Sequence, residues 1–263
     1  MSELQPSDTF TWTQAPWGRA LVCVPLADVA PHVFAGRDLG AQAKNASPRD
    51  VWLAVGRALG ATRVHHLAQV HGGKVIVVGE ASMPGMPPEA DAMVSASVDA
   101  ALAVQAADCV PILVADRATG AVGAVHAGWR GTAARAAVAA VRKMGDEWGT
   151  KAGDLVVAIG PSIGRCCYEV GPELREAFAA AGFESRDLDR WFEPRSTDRL
   201  HLDLWRANHD QLVEAGVSSD HIHVARVCTA TATDVFPSYR REGAGAGRLV
   251  AAIRARRPTV SGA

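Results

Sequence analysis

Hydrophobic residues occur along the chain in short runs separated by glycine, proline and polar clusters. Runs that are rich in valine, isoleucine and alanine and bounded by such breaks are typical of strands. They predict strands at 20–25, 64–70, 74–78, 92–95, 101–105, 111–115, 121–126, 155–159, 222–227 and 248–253. The segment from His71 to Gly73 separates the second and third of these strands, which predicts a hairpin or a sharp bend there.

Apolar residues at intervals of three and four predict helices in other parts of the chain. Gly131 begins the clearest of these, Pro172 suits the first position of another, and Asp203 suits an N-cap. The predicted helices cover 48–59, 131–148, 172–180 and 203–215. Prolines between 83 and 88 forbid regular structure and predict a loop.

The order of these elements indicates an α+β fold. Strands cluster in the middle of the chain, with helices between and after them, which favours a layered α/β sandwich with mixed β-sheets and flanking helices over a regular βαβ array. A chain of 263 residues can form one large domain, and no internal repeat divides it. We therefore predict a single domain over 1–263, with a flexible tail from about residue 257.

Composition and charge restrict the class of partner. Hydrophobic residues make up 48% of the chain and charged residues 21%, which is typical of a globular protein and excludes a mostly disordered one. Basic and acidic residues number 27 and 28, so the formal charge is -1. A nearly neutral chain offers no general electrostatic attraction for nucleic acid or anionic membranes. We expect small-molecule substrates, no nucleic acid, no membrane, and a monomer or homodimer.

The cysteines and the N-terminus predict a cytoplasmic protein. Five cysteines in a long chain are too few for a disulfide framework, and the first residues lack the basic start and apolar run of a signal peptide. No stretch reaches eighteen uninterrupted apolar residues. A disulfide between the adjacent Cys166 and Cys167 would be strained, so we predict buried free thiols there.

Three candidate ligands lie at predicted strand ends. His71 follows a strand, Cys109 begins one, and His126 precedes a helix. Two imidazoles and a thiolate form a good zinc site that leaves a fourth position for water or substrate, although the spacing matches no short zinc motif. The same residues without a metal predict a Cys109 nucleophile with His126 or His71 as base and Asp108 as orienting group.

Arginines near glycines indicate anion binding. Arg130 lies between Gly128 and Gly131, before the predicted helix, and Arg248 follows a Gly/Ala segment at 243–247. Guanidinium groups bind phosphate through paired hydrogen bonds. The chain contains neither the GxxxxGK[ST] pattern nor a strand-linked GxGxxG, which argues against ATP hydrolysis and a Rossmann fold.

Taken in order, six motifs resemble those of the laccase-domain family, whose members have been called polyphenol oxidase, purine nucleoside phosphorylase and peptidoglycan editing factor. They span about 180 residues, a more specific signal than any single spacing. The motifs are Gln69–Gly72, Asp91–Val94, Ala107–Pro111, His126–Gly131, Ile159–Gly164 with Cys166–Gly171, and Tyr239–Gly243 with Gly247 and Arg248.

The resemblance implies a compact α/β sandwich with a zinc ion held by His71, Cys109 and His126. It also implies phosphorolysis of adenosine, inosine or guanosine to the free base and ribose 1-phosphate, with adenosine deamination and methylthioadenosine cleavage as associated activities. On this basis we assign phosphate to Arg130 and Arg248, and a role in proton transfer or metal support to Asp108.

The sequence departs from the family pattern in places. A His-x-Phe-Thr-Thr-Arg segment of the family appears here as 32–37, which weakens the implied substrate role of Arg37. Arg135 and Ala246 replace a common small residue and a common threonine, so substrate preference could differ.

Three other functions stay open from the sequence. The first is a copper-type polyphenol oxidase, for which the chain has one HxH pattern, at 221–223. The second is a metal-free cysteine hydrolase that edits a peptidoglycan precursor, and the third is a non-catalytic zinc scaffold.

Overall fold

A computed structural model describes residues 5–43, 48–79, 86–196 and 198–256. The predicted tail from residue 257 and the first part of the predicted loop at 83–88 lie outside these ranges. The strands of the described part are β1 (Phe10–Ala15), β2 (Gly18–Cys23), β3 (His32–Ala35), β4 (Arg63–His65), β5 (Val75–Val77), β6 (Ala92–Ser95), β7 (Ala100–Ala106), β8 (Val110–Asp116), β9 (Val122–Ala127), β10 (Leu155–Ile159), β11 (Glu169–Val170), β12 (Phe192–Ser196), β13 (Arg199–Leu202), β14 (Ile222–Val224) and β15 (Leu249–Arg254).

Helices connect and cover these strands. They are α1 (Val24–Ala27), α2 (Arg37–Ala43), α3 (Pro48–Leu59), α4 (Trp129–Ala133), α5 (Ala136–Trp148), α6 (Pro172–Ala180), α7 (Ser185–Trp191), α8 (Leu204–Glu214) and α9 (Tyr239–Glu242). Short 3-10 helices occur at Ala152–Asp154, Ser219–His221 and Gly243–Gly245. Among the described residues, none of the helices combines the length and hydropathy needed to cross a bilayer.

Two six-stranded sheets form the centre of the molecule. The first has the order β1-β2-β3-β15-β7-β4 and the second the order β14-β10-β8-β9-β6-β5. Most neighbours are antiparallel, but β4 runs parallel to β7, β5 to β6 and β14 to β10, so both sheets are mixed. A small third sheet has the order β11-β13-β12.

Alternation of side chains along the central strands places apolar residues on both faces of each sheet. Leu102 and Phe34 of the first sheet meet Leu113 and Met93 of the second in the core between them. Helices α2 and α3 cover the outer face of the first sheet, while α5, α6, α7 and α8 cover that of the second. The predicted α+β sandwich with mixed sheets is therefore confirmed as a four-layer arrangement of helices, sheet, sheet and helices.

Several predicted elements differ from the structure. The strands predicted at 64–70 and 222–227 end at His65 and Val224. The helix predicted from Gly131 is interrupted, because Arg135 adopts a left-handed conformation (φ 54°) between α4 and α5.

Other predictions agree with the structure. The chain around His71 is the sharp bend, one of the two predicted alternatives, since β4 belongs to the first sheet and β5 to the second. Asp203 caps α8 as predicted, with its side chain accepting a hydrogen bond from the Arg206 N–H.

Candidate metal centre

The three candidate ligands converge at an edge where the chain passes between the two sheets. His71 lies on the connection from β4 to β5, Cys109 on the connection from β7 to β8, and His126 near the end of β9. Their ligand atoms all lie within 4.8 Å of one another. The two imidazole rings stand almost perpendicular, with centroids 4.9 Å apart. Residues separated by long stretches of sequence thus share one small volume.

Unusual backbone conformations place two of these side chains. His71 has φ 61° and Asp108, which precedes Cys109, has φ 80°. Few residues other than glycine adopt this left-handed region, and histidine and aspartate are among the more tolerant. The chain turns sharply at both positions as it leaves one sheet for the other, and the turn directs the His71 and Cys109 side chains towards His126.

A buried carboxylate organises the ligands. Asp91, which precedes β6, is fully buried and accepts hydrogen bonds from the N–H groups of His71 (2.9 Å) and Gly72 (2.6 Å). It also accepts a 2.9 Å hydrogen bond from Nδ1 of His126. The Nε2 atom of His126 is therefore the nitrogen left to bind a metal. Burial would raise the pKa of Asp91, but the hydrogen bonds from His126 and the backbone hold it below its ordinary value.

Asp91 belongs to a motif that the sequence analysis used for recognition without giving the residue a role. The available signal was an acidic residue placed directly before the apolar run 92–94. Buried carboxylates at such positions need several donors, and metal-binding histidines commonly donate their second N–H to one.

Charge in the metal-free site is shared between Cys109 and His126. Burial raises the pKa of the Cys109 thiol, but hydrogen bonds and positive charge from His126 and His71 outweigh burial and lower the pKa to about 7. Burial lowers the pKa of His126, yet Asp91 and the Cys109 thiolate outweigh burial and raise the pKa to about 9. At neutral pH a large fraction of Cys109 is therefore thiolate, which is the form of cysteine that binds metals and attacks electrophiles.

Gly128 makes room for this cluster. A Cβ atom at this position would lie 2.7 Å from Sγ of Cys109 and 3.4 Å from Cδ2 of His71. Real Cβ atoms do not approach other atoms so closely, so any larger residue would displace the thiol. The donor set, the oriented His126 ring and this clearance together fit a metal ion such as zinc at His71, Cys109 and His126.

A cavity of about 590 Å³ opens at the three ligands, and its size suits a ligand as large as a nucleoside. Asp108, Arg130 and Arg248 also line it, so the structure brings these predicted site residues together with the ligands. The remaining lining residues, which the sequence analysis did not select as site residues, are Leu67, Gln69, Gln105, Ala106, Ala107, Gly128, Trp129, Ile163, Tyr168, Leu204, Tyr239 and Arg240.

Asp108 supports the wall of the cavity. Its carboxylate accepts hydrogen bonds of 2.6 Å from the Thr229 hydroxyl and from the Arg240 N–H. Both bonds join segments more than a hundred residues apart in sequence. These contacts make Asp108 a positioning residue for the strand-to-loop turn that carries Cys109.

Three arginines face the cavity in different states. The Arg130 guanidinium lies 4.3 Å from the centre of the Trp129 ring, while Arg248 donates to the carbonyls of Ala246 (2.7 Å) and Gly247 (2.9 Å). Arg240 donates to a main-chain carbonyl from both of its terminal nitrogens. Within the described part of the chain, none of these three guanidinium groups pairs with a carboxylate. Each guanidinium therefore keeps its positive charge available to an anion.

Arg37 lies apart from this group. Its guanidinium pairs with the Glu242 carboxylate and donates from Nε to the Thr233 carbonyl at 2.6 Å, and Arg37 does not line the cavity described above. The structure therefore does not bring Arg37 together with the metal ligands. The Arg37 contact instead ties the start of α2 to helix α9.

Comparison with known proteins identifies the family. A family model described as "Multi-copper polyphenol oxidoreductase laccase" matches residues 29–256. The chain belongs to this laccase family. Among curated relatives, a protein named purine nucleoside phosphorylase from Bacteroides thetaiotaomicron is 36% identical over 192 residues, covering 70% of each chain. Another of the same name, from Deinococcus radiodurans, is 36% identical over 238 residues, covering 85% of this chain and 88% of its own.

Other relatives of this laccase-family chain broaden the comparison. A protein named adenosine deaminase RL5, from an unknown prokaryotic organism, is 38% identical over 174 residues, covering 66% of this chain and 64% of its own. The crystal structure of YlmD from Geobacillus stearothermophilus is 26% identical with a TM-score of 0.78, covering 93% of this chain and 98% of its own. The YfiH structure from Bacillus licheniformis is 24% identical with a TM-score of 0.79, covering 95% and 100% respectively, and shares the fold.

Proposed function

We propose that this protein is a zinc-dependent purine nucleoside phosphorylase that converts a nucleoside and phosphate to the free base and ribose 1-phosphate. The observation that carries the proposal is a cavity in which a His, Cys, His ligand set faces three arginines. Relatives that cover most of this chain are named for the same reaction. Adenosine, inosine and guanosine are the substrates we expect.

Phosphorolysis requires a phosphate held near C1′ of the ribose and a transition state with positive charge on the sugar. Arg130 and Arg248 are the phosphate ligands in this proposal, because both residues line the cavity and a guanidinium group can form paired hydrogen bonds with phosphate oxygens. Arg240 is placed to add a third positive charge. The apolar side chains of Leu67 and Ile163 provide surface for the purine.

His71, Cys109 and His126 would hold the zinc ion, which supplies Lewis-acid polarisation of a substrate oxygen or of water. Asp91 holds the proton on Nδ1 of His126 and so keeps Nε2 directed at the site. Asp108 fixes the turn before Cys109 through its bonds to other segments. The chain thereby orients each ligand before a metal arrives, which reduces the cost of ordering on binding.

The choice of zinc over copper rests on the arrangement of histidines. Among the described residues, His71 and His126 are the histidines that fall within a group of three candidate ligands. The HxH pattern at 221–223 lies elsewhere, and His221 contacts the Arg117 guanidinium. A site with one thiolate and two imidazoles suits zinc. Elemental analysis of protein purified without added metal distinguishes zinc from copper.

The direct test is Cys109→Ala. We expect this variant to lose one equivalent of zinc relative to the unchanged protein and, together with it, phosphate-dependent cleavage of inosine. Cys23→Ala is the matched control, because Cys23 is a buried thiol of the core between the sheets. Unchanged zinc content with full turnover in Cys109→Ala would refute the ligand role of Cys109.

Adenosine deamination is a second candidate, favoured by the relative named adenosine deaminase. The same cavity would then bind adenosine and water, with attack at C6 of the purine. Assays with adenosine in the presence and absence of phosphate separate the two reactions. Ribose 1-phosphate indicates phosphorolysis, whereas inosine formed without phosphate indicates deamination.

A metal-free cysteine hydrolase is the remaining alternative, and the lowered pKa of Cys109 beside His126 favours it. Such an enzyme would keep its activity after complete removal of metal by a chelator. We expect chelation to abolish turnover and added Zn²⁺ to restore it.

A further inference from the structure

A second group of metal-binding side chains lies away from the ligands described above. Cys166 and Cys167 occupy the turn between β10 and β11, and Cys228 follows β14. Their three sulfur atoms lie within 4.8 Å of one another, with 3.6 Å between Sγ of Cys166 and Sγ of Cys167. All five cysteines of the chain are free thiols. Cys166 and Cys167 are not buried as predicted: Cys166 is exposed and Cys167 half-buried, because the turn that carries them lies at the surface.

Main-chain hydrogen bonds hold the two segments in this position. Ser162 and Cys228 form an isolated parallel bridge, and the Thr229 N–H donates to the Ser162 carbonyl at 3.0 Å. The Cys167 N–H closes the turn by donating to the Gly164 carbonyl, also at 3.0 Å. The three thiols therefore do not depend on flexible loops for their proximity.

Gly164 contributes in two ways. Its N–H donates to Sγ of Cys228 at 3.2 Å, an interaction that favours a thiolate. A Cβ at this position would lie 2.9 Å from the Trp205 ring and 3.4 Å from Sγ of Cys166. The missing side chain thus leaves room for the sulfurs to face one another.

We propose that Cys166, Cys167 and Cys228 form a second metal site that binds a thiophilic cation, with Zn²⁺ as the ion to test. Zinc bound by thiolates has bonds of about 2.3 Å, which places neighbouring sulfurs of a tetrahedral site about 3.8 Å apart. The separation of 3.6 Å between the sulfurs of Cys166 and Cys167 is close to this value, and the other two pairs lie within 4.8 Å. Soft thiolates select zinc or Cu(I) over hard cations.

Access and surroundings suit a cation bound at the edge of the protein. Cys166 is exposed, Cys167 half-buried and Cys228 buried, so a cation can enter from solvent and then lie against protein. The buried side of the cluster packs on Ile163 and Trp205. Binding would exchange the protons of the three thiols for one cation and would leave one coordination position to water.

The position of the cluster links it to the cavity wall. Cys228 precedes Thr229, whose hydroxyl bonds Asp108, and Cys167 precedes Tyr168, which lines the cavity. A cation bound by the three sulfurs would stabilise the segments that carry Thr229 and Tyr168 without itself contacting the cavity. This second metal site is independent of the reaction that the cavity performs.

The test uses the full chain carrying Cys109→Ala, so that the first site is silent. After removal of metal under reducing conditions, we expect this variant to bind about one equivalent of Zn²⁺ by elemental analysis. Co²⁺ used as a spectroscopic probe should give sulfur-to-cobalt charge-transfer absorption. Adding Cys166→Ser should weaken zinc binding by about tenfold or more, and because Cys166 is exposed this variant is expected to fold.

Cys228→Ser is the second variant, with its fold checked by circular dichroism, and Cys23→Ser serves as the matched control. Absence of Zn²⁺ binding in Cys109→Ala would overturn the proposal, as would unchanged zinc affinity after both Cys166→Ser and Cys228→Ser. A different outcome would also overturn the proposal. If the mass of the unchanged protein falls by two hydrogens in air, and Cys109→Ala binds no Zn²⁺ under reducing conditions, two of the cysteines form a disulfide instead of a metal site.

Discussion

The two groups of metal-binding side chains differ in how the fold supports them. His71, Cys109 and His126 come from separate connections and strands, and the buried Asp91 carboxylate orients two of them. The group formed by Cys166, Cys167 and Cys228 comes from two bridged segments and is supported by the N–H groups of Gly164 and Ala230 and by an apolar wall. The first group opens on a large cavity, whereas the second does not line that cavity. A metal ion bound by the first group would therefore meet molecules that enter the cavity, whereas an ion bound by the second group would not.

The largest effect expected from this comparison is that of Asp91→Asn. An amide cannot accept all the hydrogen bonds that the carboxylate accepts, and it removes the negative charge beside His126. We expect metal affinity at the first group to fall by about 10- to 100-fold, with zinc binding at the second group unchanged. Isothermal titration of metal-free protein measures both.

Asp116→Asn is the matched control for this prediction, because Asp116 is also fully buried and also accepts backbone and hydroxyl hydrogen bonds. Asp116→Asn should lower the free energy of unfolding without lowering the metal affinity of the first group. Equal loss of affinity in the two variants would show that Asp91 acts only through general stability.

Gly128→Ala should have the next largest effect. The new methyl group would overlap Sγ of Cys109, so the thiol must move. We expect weaker zinc binding at the first group and a loss of about 1–3 kcal/mol in the free energy of unfolding. Gly153→Ala is the control, since a Cβ there meets no atom within 4 Å. Retention of full zinc affinity in Gly128→Ala would contradict the packing argument.

Thiol alkylation of metal-free protein sharpens the comparison further. Because the pKa of Cys109 is lowered to about 7 from 9.0, its thiolate forms as pH rises through 7, and iodoacetamide labelling should increase over that range. Burial and the neighbouring thiols raise the pKa of Cys166 to about 12, so this exposed residue should react slowly at pH 8. Peptide mapping by mass spectrometry measures both rates.

His126→Ala provides the control for the alkylation experiment. It removes the largest contribution that lowers the pKa of Cys109, so the midpoint of labelling should move to higher pH. Identical labelling profiles for Cys109 and Cys166 in the unchanged protein would contradict the prediction.

The smallest effect is expected for Arg37→Ala. The Arg37 pair with Glu242 is about one-third exposed on each side, and such pairs contribute about 0–1 kcal/mol to stability. Because Arg37 is held outside the cavity, we expect its KM for phosphate to stay unchanged, whereas Arg130→Ala should raise it. Steady-state kinetics with varied phosphate measure the difference, and a raised KM in Arg37→Ala would return this residue to the substrate site.

The sequence was most informative where a single periodic pattern decides the element. Helix α3 and strand β10 have the predicted bounds, since apolar spacing and flanking breaks define them locally. Strand β1 was not predicted, because only three of its six residues are apolar and only one is buried, and pairing with β2 holds it in the sheet. The small third sheet depends similarly on contacts between distant segments, and β12 even contains a proline.

In the candidate site, too, local motifs could be predicted from the sequence and contacts between distant segments could not. The ligand residues were predictable, because histidine and cysteine at strand ends are unusual and their motifs are specific. The support from Asp91 was not, because its partners are main-chain N–H groups about twenty residues away that only the bend between the sheets brings within reach. Likewise, the partner of Arg37 lies 205 residues along the chain, and no local pattern could reveal it.

The passage of the chain between the sheets has a mechanical consequence. Both His71 and Cys109 lie on such passages, and His126 belongs to the second sheet alone. Neither sheet by itself carries the full ligand set, so a bound metal ion would crosslink the two sheets. The three ligands can then come together only after the two sheets have packed. Cleavage of the chain in the connection that carries His71 or Cys109 would separate that residue from one of the two sheets that position it.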